Sequence, residues 1–156
     1  MDALMAIDPG NTESAYVRVD METYEPLTFS KDSNDLVRYL LKEHYNDEAT
    51  IEKIESYGMA VGKEVFDTCI ETGRFLQIAL DRGLPCTLTP RKEVKLHLCK
   101  SARAKDSNII QALKDRFGGK GTKKAPGFFY GFKADCWQAF ALAVTYIDKK
   151  KGVEQC

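Results

Sequence analysis

Two short segments of this chain end alike. Met5-Ala6-Ile7-Asp8 and Ala49-Thr50-Ile51-Glu52 each place a carboxylate directly after an isoleucine at the close of a strand-like apolar run. Side chains alternate across a strand, so both isoleucines can face a covering helix layer while both acids face the other way. Paired carboxylates repel, and an acid turned inward from a strand is expensive unless a cation neutralises it. The fold this favours makes the two strands neighbours, so that Asp8 and Glu52 meet around a cation. Oxygen-only donors suit Mg²⁺ or Mn²⁺, which keep coordination positions for water and phosphate.

The rest of the chain supplies an α/β framework for that pair. A first strand over 3–8 is closed by Pro9-Gly10, and strands over 13–20 and 24–30 follow as a meander. Cap-type residues from Asp32 to Asn34 precede Leu36, Val37, Leu40 and Leu41, which recur at helical spacing and predict a helix over 35–45. A strand over 49–54, a long helix over 62–81 stopped by Gly83, and a fifth strand over 85–89 come next. Helices are expected over 92–99, over 107–117 with Asp106 as N-cap, and over 134–149, with an irregular Gly/Lys segment at 118–127. This pattern predicts one α/β domain over 1–156 with a mixed sheet. The long second helix carries apolar residues on more than one stripe, enough to serve both a core and a dimer interface.

A third acid, Asp135, opens the last helix with Gln138 on the same face three residues on. Taken by itself, Asp135 reads first as a helix-start residue favoured by the dipole rather than as a site acid.

The charge distribution bears on partners. The 156-residue chain is formally neutral, with 23 Lys+Arg and 23 Asp+Glu. Residues 1–60, however, hold 5 basic against 13 acidic side chains, and 61–156 hold 18 against 10, so the halves are −8 and +8. Within 91–124, 11 basic residues face 3 acids. A segregated chain of this kind can set an acidic cluster beside a phosphate-binding surface. The five cysteines have no zinc-type spacing and read as reduced thiols, and no basic-plus-apolar leader or membrane-length run is visible, which predicts a cytoplasmic setting. No Ser/His/Asp arrangement is apparent; His44 and His97 read as surface or boundary residues.

Ile7-Asp8-Pro9-Gly10-Asn11-Thr12, Ile51-Glu52, Pro90-Arg91-Lys92-Glu93-Val94-Lys95 and Lys133-Ala134-Asp135-x-x-Gln138-Ala139-x-Ala141-Leu142-Ala143 occur in the order and spacing of the RuvC-type Holliday-junction resolvases. The chain resembles that family over nearly its whole length, and the small size and Ser56-Tyr57-Gly58 resemble its bacteriophage branch, implying a phage-encoded protein of a bacterial cell. The resemblance implies a ribonuclease H-like fold with a five-stranded mixed sheet flanked by α-helices, a homodimer, and Mg²⁺-dependent cleavage of branched DNA, with Mn²⁺ able to substitute. Carried over position by position, it implies metal ligation by Asp8, Glu52, Asp135 and Gln138, and catalytic roles for Asp8, Glu52, Asp135 and Lys95.

Gln138 stands where the family has a second helix acid. Three readings follow: a weaker second site completed by a DNA phosphate, which we favour; a fourth acid drawn from Glu55 or Asp106; or reduced catalysis. Glu55 lies an odd number of residues from Glu52 and points to the opposite face of a regular strand, while Asp106 is accounted for as a cap. The expected DNA-contacting residues are Arg91, Lys92, Lys95, Lys100, Arg103, Lys105, Lys120, Lys123 and Lys124, with Lys105 matching the family only at an offset of about one position. Tyr57 is expected to stack near a branch point or else to be a core-edge tyrosine. Phe128, Phe129, Tyr130 and Phe132 are expected to anchor the preceding loop to the core. The alternative functions are a branched-DNA-binding protein with weak or no catalysis, and an actin-like phosphotransferase, for which a second phosphate-binding glycine segment is missing.

Overall fold

The computed structural model describes residues 2–153, so the expectation for Cys156 lies outside the described residues. In chain order the elements are β1 (Ala3–Asp8), β2 (Glu13–Asp20), β3 (Pro26–Ser33), α1 (Asn34–Glu43), β4 (Glu48–Lys53), α2 (Lys63–Asp81), β5 (Cys86–Pro90), α3 (Arg91–Cys99), α4 (Asp106–Phe117) and α5 (Cys136–Lys151). The sheet order is β3-β2-β1-β4-β5. β1, β2 and β3 pair antiparallel, and β4 and β5 run parallel to β1, which makes the sheet mixed.

Strand alternation divides the core into two layers. Met5, Ile7, Tyr16, Ala49 and Ile51 pack against Val37 and Leu41 of α1 and Phe75 and Ala79 of α2. Leu4, Ala6, Ala15, Val17 and Val19 point the other way, onto α5. That helix lies between the sheet and the outer pair α3 and α4, which add Val94, Leu98, Ile109 and Leu113. Packing on both sides explains why α5 is buried nearly all round rather than along one stripe. Phe129 and Phe132 are fully buried against it, as expected of an anchor, whereas Tyr130 is exposed.

Several expectations need correction. β3 begins at Pro26 and ends at Ser33 instead of spanning 24–30, and Ser33 caps α1, its Oγ accepting from Leu36 N at 3.3 Å. The N-cap of α4 is Lys105, whose N–H donates to Asn108 Oδ1 at 2.9 Å; Asp106 is the first helical residue. The 118–127 segment is a closed turn: Gly121 pairs with Pro126, and Thr122 N donates to Ala125 O at 3.0 Å. Gly121 takes a positive φ of 68°, and a Cβ there would meet the backbone of Gly127 and Ala125, so glycine is required.

His97 is a half-buried boundary residue, one of the two expected alternatives, and it has a partner that the sequence did not reveal. Its Nε2 lies 2.7 Å from Asp148 Oδ2. Arg116 engages the same carboxylate bidentately at 2.7 and 2.8 Å, and Tyr24 Oη donates to it at 2.6 Å. Burial alone would raise the Asp148 pKa; the hydrogen bonds from Arg116, His97 and Tyr24 outweigh it and hold the carboxyl below the usual range. The buried network ties α3, α4, α5 and the β2–β3 turn together. It also withdraws Arg116 from the basic surface that the sequence suggested.

Candidate active site

β1 and β4 are adjacent and parallel, with Ile7 opposite Ile51. Asp8 and Glu52 are each one residue past that pair and leave the α1/α2 layer for the α5 side, as alternation predicts. Asp8 is half-buried, and the Glu52 side chain is 13% exposed. Burial, the adjacent Glu52 carboxyl and the nearby charge of Asp135 raise the Asp8 pKa well above the usual carboxylate value; Arg91 opposes the shift. The two acids of the pair expected from the sequence thus end neighbouring strands.

Asp8 is held in place by a buried polar brace under its turn. Gly10 N donates to Ser14 Oγ at 3.1 Å, Ser14 Oγ donates to Asn34 Oδ1 at 2.6 Å, and Asn34 Nδ2 donates to Gly10 O at 3.0 Å. A Cβ on Gly10 would collide with Glu13 O, which is why the turn needs glycine. Asn34, read from the sequence as a cap-type residue, is thus part of the support for the first acid.

Asp135 occupies the N-cap position of α5 without capping it through its side chain. Ala134 before it has a φ of 32°, an uncommon left-handed value that sets the entry angle of the helix. The Asp135 carboxylate instead meets Lys31, with Nζ 2.6 Å from Oδ2, and holds the ammonium above the usual lysine pKa. Asp8, Lys31 and Asp135 share the wall of a cleft of about 290 Å³ with Gly10, Asn11 and Glu13. Gln138, one turn along α5, is buried, and its Oε1 has no hydrogen-bond partner among the described residues.

A second cleft of about 310 Å³ is lined by Tyr57, Arg91, Lys92, Lys95 and Ala102. Arg91 joins it to the acids, with Nη1 3.5 Å from Glu52 Oε1 and Nη2 on Asp106. Asp106 is therefore not the expected cap; its carboxylate pairs with Arg91. Tyr57 is exposed with a positive φ of 51°, and its hydroxyl accepts from Lys92 N at 3.4 Å. Lys100, Arg103 and Lys105 follow on the exposed α3–α4 connection and do not line this cleft. Lys120, Lys123 and Lys124 are exposed on the closed 118–127 turn. Glu55 pairs with Lys53 at 3.5 Å beyond the end of β4.

Among the described residues, no three His, Cys, Asp or Glu side chains form a closed metal-binding group. The donor chemistry nevertheless fits a divalent cation: two paired carboxyls, a third acid nearby, and an orphaned amide oxygen one turn from it. Sequence reasoning missed Lys31, because the strand expected over 24–30 stopped one residue short of it.

No protein-family model matches the sequence, and no curated protein matches it. By structure the chain is similar to Thermus thermophilus RuvC, with a TM-score of 0.71 and 17% identity over 98% of each chain. It is likewise similar to T. thermophilus RuvC in complex with Holliday junction substrate, with a TM-score of 0.71 and 16% identity over 99% of each chain. The chain thus has the RuvC-like, ribonuclease H-like fold.

Proposed function

We propose that residues 1–156 form a single nuclease domain that hydrolyses phosphodiester bonds in four-way DNA junctions and related branched DNA. The observation that carries this reading is the Asp8–Glu52 carboxyl pair on neighbouring strands with Asp135 beside it, next to a cleft lined by Arg91, Lys92 and Lys95. The fold shared with T. thermophilus RuvC in complex with Holliday junction substrate supports it. The likeness to bacteriophage members rests on Ser56-Tyr57-Gly58 alone, since Thermus thermophilus RuvC is matched over 98% of both chains and length does not separate the two.

Asp8, Glu52, Asp135 and Gln138 would hold Mg²⁺, with Mn²⁺ as a substitute. Bound there, divalent cations supply activation of an attacking water and charge stabilisation at the leaving 3′ oxygen. Gln138 contributes an oxygen and no charge, so its share of the site is weaker than an acid's. Arg91, Lys92 and Lys95 hold phosphate at the site, and Tyr57 offers a face for an unstacked base. Lys100, Arg103, Lys105, Lys120, Lys123 and Lys124 follow the DNA arms through their phosphates.

A homodimer would present two such sites to opposed strands of a junction. Exposed Phe66, Ile70 and Leu80 on α2, with Leu36 and Tyr39 on α1, support an interface on that side of the sheet. No described helix is long and apolar enough to cross a membrane.

Synthetic four-way junctions incubated with the protein and Mg²⁺ or Mn²⁺ test the reading. Wild type is expected to nick junctions and spare linear duplex, and Asp8→Asn to bind junctions without nicking. Equal nicking by Asp8→Asn overturns the assignment. A second reading, junction binding with little or no catalysis, is favoured by the neutral Gln138; it is the right one if cleavage appears only in Gln138→Asp.

A further inference from the structure

β1, β2 and β3 align Asp8 with Ala15 and Ala15 with Lys31, so these three form one row across the sheet. Residues directly opposite one another in a ladder point to the same face. Lys31 therefore shares the α5-side face of Asp8, separated from it by two strand spacings of about 5 Å each. Ala15, between them, is too small to block the path. The lysine side chain extends into the cleft and ends on Asp135 at 2.6 Å, and Glu13 lies along the same wall. This contact joins residues 104 positions apart and involves an acid that makes no side-chain cap to its own helix.

We propose that Lys31 is a built-in monovalent counter-ion of the active site, which a divalent cation must displace from Asp135 and whose freed ammonium then binds the DNA phosphate brought to the cleft. The inference rests on the nuclease reading and deepens it. Gln138 leaves the helix end of the site short of one negative charge. A fixed lysine balances Asp135 with a single charge and needs no fourth carboxylate. Once displaced, the ammonium can serve as a point-charge phosphate ligand on the side of the site opposite Arg91.

Lys31 is an edge-strand residue about half exposed, so its replacement leaves the core intact. Three proteins are compared: wild type, Lys31→Met and Lys31→Arg. The first readout is calorimetric titration with Mn²⁺ without DNA. Lys31→Met is expected to bind Mn²⁺ about two- to fivefold more tightly, the size of one solvent-exposed ion pair, and Lys31→Arg to return toward wild type. The second is junction affinity in Ca²⁺ as a function of salt. Lys31→Met is expected to lower the slope of log K against log salt by about one, with Lys31→Arg restoring it. Coincident Mn²⁺ isotherms for wild type and Lys31→Met, in a protein that nicks junctions, overturn the counter-ion role and leave the nuclease reading standing. Absence of Mn²⁺ binding and of nicking in all three proteins overturns both.

Discussion

Asp8 on β1 and Glu52 on β4 each stand one residue past the paired Ile7 and Ile51 on adjacent parallel strands, and the Glu52 carboxyl helps to raise the Asp8 pKa. A folded chain that sets two acids so close needs one of them protonated or a cation between them. Asp8 ionises at higher pH in the folded protein than in the unfolded chain. Its ionisation therefore lowers stability as pH rises from the unfolded carboxyl value, 3.8, through the raised folded value. Thermal melts in EDTA at pH 7 are expected to show Asp8→Asn more stable than wild type, with the difference vanishing below pH 3.8. Adding Mg²⁺ should raise the melting temperature of wild type and not that of Asp8→Asn.

Asn34→Ala removes the acceptor for Ser14 Oγ and the donor to Gly10 O inside a buried brace. The expected cost is about 1–3 kcal/mol, the penalty for stranding buried polar groups, read by chemical denaturation. Because the brace supports the Asp8 turn, junction nicking should fall more than junction binding.

Lys95→Gln tests the basic cleft beside the acids. Junction affinity should drop at low salt, and the slope of log K against log salt should fall by about one, as for loss of one phosphate contact. The same substitution should leave the urea midpoint near wild type, since Lys95 lies on the cleft wall and outside the packed core.

Asp148→Ala leaves Arg116, His97 and Tyr24 without their shared acceptor. Breaking a buried charge pair costs about 3–5 kcal/mol. The depressed Asp148 pKa gives the sign with pH: its contribution is present above the unfolded value of 3.8 and is lost as pH falls through the lower folded value. Denaturation of wild type and variant should therefore converge in strong acid. Loosened docking of α3 and α4 on α5 should also weaken junction binding.

Local stereochemistry wrote much of this structure into the sequence. Side-chain alternation placed Ile7 and Ile51 in one layer and Asp8 and Glu52 in the other, and helical spacing marked α1, α2 and α5. These features need only the backbone's own periods of 2.0 and 3.6 residues, so a reader of the chain can see them. β3 was harder to bound, because its half-exposed end, Lys31-Asp32-Ser33, carries no apolar alternation to mark a strand.

Charge partnerships depended on which elements tertiary packing set side by side. Lys31 meets Asp135 across 104 residues, Arg91 spans Glu52 and Asp106, and His97 joins Asp148 in a network drawn from four parts of the chain. An unpaired acid and an ion-paired acid are the same letter in the sequence. What distinguishes them is the distance to a cation and the water excluded between, and both are properties of the packed sheet and helices. The sequence alone therefore determined that two strand-end acids would face away from the α1/α2 layer. Only the tertiary structure decided that Lys31 and Arg91 would stand on either flank of them.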